Sequence, residues 1–135
     1  MCYILYGAVN REINESDREK IMKSSEYTIK IGTKHDIKED ISKLNYSYRV
    51  TRWQCDCDFP VGLHDSGAKE IKELEKLLLD LKSARGVKCV HLARVWAGDK
   101  CKSEKQVHID DINIPEFLAN VEEGCLYRID LFERF

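Results

Sequence analysis

The run VKCVHLARVW, residues 87–96, is apolar on both sides of an extended chain. Successive side chains of a strand point to opposite faces, so Val87, Cys89, Ala93 and Val95 share one side. Val90, Leu92 and Trp96 share the other. A strand of this kind has no face to give to water. It belongs in the interior of a sheet, or under cover on both faces.

The flanking sequence supplies the cover. Before the run, Ile71, Leu74, Leu78 and Leu81 recur at helical spacing, and Leu77 and Ala84 widen the stripe. This predicts a core-covering helix over residues 67–85, stopped by Gly86 in a left-handed conformation. After the run, AGDK (residues 97–100) is a turn signal and residues 106–109 form a more polar strand. Pro115 suits the first turn of a helix carrying Phe117, Leu118 and Val121, with Gly124 ending it. Residues 125–135 alternate, with Cys125, Tyr127, Ile129 and Leu131 on one face.

Towards the N-terminus, residues 3–9 form an apolar run of strand length. SDRE (residues 16–19) matches a capping box, with Ser16 accepting from the third helical N–H and Glu19 reaching back. Tyr27, Ile29 and Ile31 alternate as a half-buried strand. DIKE (residues 36–39) caps a second short helix with Ile37, Ile41 and Leu44 on one face. Tyr46, Tyr48 and Val50 give another strand.

The order is β-α-β-α-β-α-β-β-α-β in one domain covering residues 1–135, an α+β chain. Its last six elements, residues 46–135, resemble the ferredoxin-like split βαβ order. That resemblance implies a mixed or antiparallel sheet with helices packed mainly on one face, preceded by an N-terminal β-α-β-α extension. The apolar run conflicts with it. The ferredoxin-like order puts residues 87–96 at a sheet edge, where so apolar a strand is an aggregation hazard. Either the N-terminal strands pair beside it, or a partner subunit covers it as a homodimer.

Composition narrows the function classes. The 135 residues are 43% apolar and 34% charged, a folded and soluble balance. Lys plus Arg is 22 and Asp plus Glu is 24, a net charge of −2 that gives no global field for nucleic acid. The longest uninterrupted Leu run is residues 77–79, far short of a membrane span. The N-terminus has no basic leader and reads as a mature strand, so the expected location is cytoplasmic. Glycine-rich nucleotide motifs and a Gly-x-Ser-x-Gly elbow are absent from the sequence.

The chemistry concentrates in RWQCDCDFPVGLHD, residues 52–65. If the preceding strand runs on, Cys55 and Cys57 face the same way. Pro60 and Gly62 then turn the chain and can return His64 to the two sulfurs. Two thiolates and an imidazole are three ligands of a tetrahedral zinc site. Such donors suit zinc, cuprous copper or an iron–sulfur centre, not magnesium or calcium. The fourth ligand is Asp65, Cys89, Cys101 or a water; an open position would make the site catalytic. The placement of Cys55 and Cys57 between a strand and a helix resembles that in metal-carrying ferredoxin-like domains. Thiol exchange is disfavoured by Asp56 and Asp58, whose charge raises a thiol's pKa, whereas a bound cation welcomes both carboxylates. The competing reading is a structured turn with incidental thiols.

The remaining cysteines and aromatics carry blander expectations. Cys2, Cys89 and Cys125 lie in strand-like runs and read as buried structural thiols, and Cys101 reads as an exposed thiol in a turn. The opening MC is similar to that of amidotransferases with an N-terminal cysteine. That resemblance implies Cys2 as a nucleophile with its own amine as base. His91 reads as a core histidine, His108 as part of a polar strand and His35 as exposed; Trp53 and Trp96 read as core or interface anchors. The leading functional reading is metal binding, with zinc as cofactor. The alternatives are a homodimeric interaction or ligand-binding module with structural cysteines and no catalysis, and a thiol-dependent enzyme. No nucleic-acid or membrane partner is expected.

Overall fold

The computed structural model describes residues 3–9, 14–24, 28–31, 46–51, 60–96 and 101–133. The elements in chain order are β1 (Tyr3–Val9), α1 (Glu15–Ser24), β2 (Thr28–Ile31), β3 (Tyr46–Thr51), α2 (Lys69–Ser83), β4 (Cys89–Trp96), β5 (Ser103–His108), α3 (Ile114–Ala119) and β6 (Cys125–Asp130). A 3-10 turn, Ile109–Asp111, links β5 to α3. The helix expected around residues 37–44 lies outside the described residues.

The six strands form one mixed sheet in the order β2-β3-β1-β4-β6-β5. Strand β4 is interior, as its two apolar sides require. It pairs antiparallel with β1 along its length, from Tyr3 opposite Trp96 to Val9 opposite Val90. On its other side it pairs antiparallel with β6, from Cys89 opposite Asp130 to Ala93 opposite Leu126. Seven consecutive residues, 89–95, are buried. The polar strand β5 takes the outer place beside β6, the sheet's one parallel pairing, and residues 103–106 are exposed there. Strands β3 and β2 extend the other side, both antiparallel.

This order corrects the ferredoxin-like expectation for residues 46–135. The β3-α2-β4 crossover is split, but the strand inserted in it is β1. The β5-α3-β6 crossover is not split at all, because β5 and β6 are adjacent and parallel. The cause is the conflict visible in the sequence. Strand β4 buries both faces and needs a neighbour on each side, and the N-terminal strand supplies one of them. The edge argument for a covering partner subunit therefore no longer applies.

The helices form one layer. Helix α2 touches both α1 and α3. Its Ile71, Leu74, Leu77, Leu78 and Leu81 are at most 3% exposed. They share one cluster with Ile21 of α1, Ile114 and Leu118 of α3, and Val9, Val90, Leu92, Tyr127 and Ile129 of the sheet. Each such side chain, fully buried, contributes about 1.5–3 kcal/mol of transfer free energy. Helix α2 stops earlier than expected, with Ala84 as an extended C-cap, and Gly86, at φ +79, lies in the turn beyond it. The cap of α1 differs from expectation. Asn14, not Ser16, accepts from the Asp17 N–H at 2.8 Å, and Ser16 lies inside the first turn. An amide oxygen two residues earlier serves the same orphan donors.

Candidate metal-binding loop

Cys55 and Cys57 lie outside the described residues, as do Cys2, His35 and Trp53. The second half of the loop, which carries His64, is described. Pro60 is buried and Val61 is 1% exposed, packed in the core cluster. The chain then runs along the end of α3. The Gly62 N–H donates to the Leu118 carbonyl at 2.9 Å, and the His64 N–H donates to the Ala119 carbonyl at 2.8 Å. These are carbonyls at a helix C-terminus, which have no i+4 partner within the helix. The short helix thus gains donors for its last turn while the loop gains a rail.

Two described positions of this loop have positive φ. Gly62, at φ +79, could not carry a side chain, because a Cβ would sit 2.6 Å from the Val121 carbonyl oxygen. His64, at φ 64, is the one non-glycine with positive φ among the described residues. That conformation costs about 1–2 kcal/mol for an L-residue. Hydrogen bonds from backbone and side chain offset it. Besides the backbone bond, ring Nδ1 lies 2.8 Å from Asn120 Oδ1. Asn120 is itself held, its Nδ2 donating to the Glu116 carbonyl at 2.8 Å. His64 as a whole is exposed, and Leu63 beside it is 49% exposed.

The other candidate ligands divide. Asp65 is exposed and adjacent, with its carbonyl accepting from the Ala68 N–H that opens α2. Cys89 does not belong to this site. Val90 and Leu92 face the helices, so Cys89 faces the opposite side of the sheet, opposite Asp130. There, burial raises its thiol pKa, the Arg128 guanidinium lowers it and Asp130 raises it, with a net rise. Asp130 accepts from Gln106 Nε2 at 2.7 Å and from Arg128 Nε at 3.0 Å. The bond to Asp130 in turn holds the Arg128 guanidinium above its ordinary value. Cys101 is half-buried rather than exposed. Among the described residues, no group of three or more His, Cys, Asp and Glu side chains is placed to hold a metal ion.

The other two described histidines are structural. His91 is 4% exposed on β4, as read from the sequence. His108 departs from its expectation. It ends the polar strand β5 but is 4% exposed. Its Nδ1 accepts from the Asp110 N–H at 3.1 Å, which leaves Nε2 as the protonated nitrogen donating to the Phe132 carbonyl at 2.7 Å. Phe132 also packs edge-on against the ring, with centroids 5.0 Å apart. Sequence reasoning named His64 but missed Asn120 and Glu116. They lie more than fifty positions along the chain, and Asn120 in the sequence reads only as a residue at a helix end.

No helix among the described residues is long and apolar enough to cross a membrane. No family model matches this chain, and no curated protein or solved structure matches it.

Proposed function

We propose that this chain binds a soft transition metal, zinc foremost, through the thiolates of Cys55 and Cys57 and the imidazole of His64. The supporting observation is the presentation of His64. A histidine held in a left-handed backbone, gripped by one ring nitrogen and otherwise exposed, is strained for a purpose other than filling the core. The two thiols precede it by nine and seven positions, separated from it by the Pro60 and Gly62 turn. The donor set of two sulfurs and an imidazole suits zinc. Asp65, Cys101 or a water completes the coordination, since Cys89 faces the other side of the sheet.

The test is metal analysis of protein purified without a histidine tag. Near-stoichiometric zinc that disappears on replacing Cys55 and Cys57 by serine supports the reading. Metal-free protein, with the double variant melting at the wild-type temperature, overturns it.

A second reading draws on a different observation. Cys125 is 0% exposed and Cys89 is 5% exposed, which supports the structural role that reading gives to these two thiols. In that reading the chain associates with a second copy and catalyses nothing. Light scattering that finds only monomer at micromolar concentration removes it.

A further inference from the structure

Resting on the metal-binding reading above, we infer that Asn120 is the positioning residue of that site and commits His64 to bind metal through Nε2. The argument starts from a backbone carbonyl. Asn120 Nδ2 donates to the Glu116 carbonyl oxygen at 2.8 Å. A carbonyl only accepts, so that contact fixes which end of the amide is nitrogen. The end facing His64 is then Oδ1, and it lies 2.8 Å from Nδ1. An amide oxygen also only accepts. Nδ1 must therefore carry a hydrogen, and in the neutral ring the lone pair resides on Nε2.

A metal needs that lone pair. Nε2 sits across the ring from the bond to Asn120, so it points away from α3. An unrestrained imidazole in water samples both tautomers and several rotamers. Here the His64 N–H bond to the Ala119 carbonyl and the Nδ1 bond to Asn120 Oδ1 hold the residue at two points on the same helix end. The ring is oriented and its tautomer chosen before any ion arrives. A ligating histidine whose other nitrogen donates to an oxygen acceptor is the usual supported arrangement, and loss of such a support lowers affinity. Glu116 contributes only its carbonyl to this support, so its side chain is free to vary.

The experiment has two readouts on the full chain. Ring nitrogen–proton NMR of the metal-free protein, at a pH where His64 is neutral, reports the tautomer. Zinc competition with a chromophoric chelator reports affinity. Wild type should show Nδ1–H, and Asn120→Ala should show mixed tautomers and about 10–100-fold weaker zinc binding. Asn120→Asp keeps an acceptor for Nδ1–H but gives up the donor to the Glu116 carbonyl, so it should retain the Nδ1–H tautomer and bind zinc more tightly than Asn120→Ala. That variant answers the question even if Asn120→Ala folds poorly. An Nε2–H tautomer in wild type overturns the inference. So does Asn120→Asp weakening zinc binding as far as a histidine deletion, or Asn120→Ala binding zinc as wild type does. Wild-type protein that takes up no zinc overturns the metal-binding reading itself, and with it any metal role for Asn120, whatever the tautomer.

Discussion

A methyl group added at residue 62 would meet a carbonyl oxygen at 2.6 Å, whereas one added at residue 124 would meet nothing within 4 Å. Both glycines have positive φ, +79 and +74. The pair therefore separates backbone strain from steric clash. Gly124→Ala should lower the unfolding free energy by about 1–2 kcal/mol, the strain alone. Gly62→Ala should cost about 3 kcal/mol, because the clash drives the loop off α3. Urea unfolding of the two variants checks the order. His108 gives another residue-level test. Its buried ring bonds the Asp110 N–H and the Phe132 carbonyl through two part-buried contacts. Truncation removes both bonds and the buried ring, so His108→Ala should destabilise by about 1–3 kcal/mol in the same assay. Thiol accessibility follows burial. With native protein, mass-mapped alkylation should label half-buried Cys101 well before Cys89 and Cys125. The raised Cys89 pKa slows that thiol further, since the thiolate is the reacting form. Equal labelling of the three would contradict the packing.

At the scale of the element, α1 shows what the sequence could not decide. Both Asn14 and Ser16 are good N-caps, and the Glu19 that completes a capping box favoured Ser16. The fold places the first turn earlier, so Asn14 holds the Asp17 N–H. Asn14→Ala should therefore cost about 0.5–2 kcal/mol by thermal unfolding, while Ser16→Ala stays near neutral. The reverse order would restore the sequence reading. Helices α2 and α3 were legible as elements because their signals are local, but α3 ends at Ala119 with Asn120 as its C-cap, so Val121 and Gly124 lie beyond it. The apolar positions that set the α2 period, Ile71, Leu74, Leu78 and Leu81, are all buried. Asn113 caps α3 with Pro115 in its first turn, as Pro115 alone suggested. The loop that docks on α3 was not legible. Its hydrogen bonds join residues 62 and 64 to residues 118 and 119, and no periodicity encodes a pairing over that separation. The same distance hid Asn120 from the site.

For the whole molecule, the sequence established that residues 87–96 needed cover on both sides. It did not establish which strand would supply it. Pairing partners are chosen by long-range competition, and β1 and β6 are strands of similar length. In the fold, β1 and β6 lie on either side of β4. Two buried acids then tie stability to pH. Burial raises the Cys89 thiol pKa and, as the largest effect, that of the Tyr127 phenol. In the folded state both hold their protons to higher pH than in the unfolded chain. Above about pH 9 the unfolded state binds fewer protons, so stability should fall as pH rises through the window of each folded pKa. Urea unfolding at pH 7 and above pH 9 should show the decline, and Cys89→Ala should flatten its onset. A flat profile in wild type would contradict the burial of both groups.

The proposed metal site is tested by the ligands around the ion. X-ray absorption at the zinc edge, on the zinc-loaded chain, reads them directly. Coordination by two sulfurs at about 2.3 Å and one imidazole nitrogen at about 2.0–2.1 Å is the expected result. A shell of oxygen and nitrogen alone, with no sulfur, would contradict it.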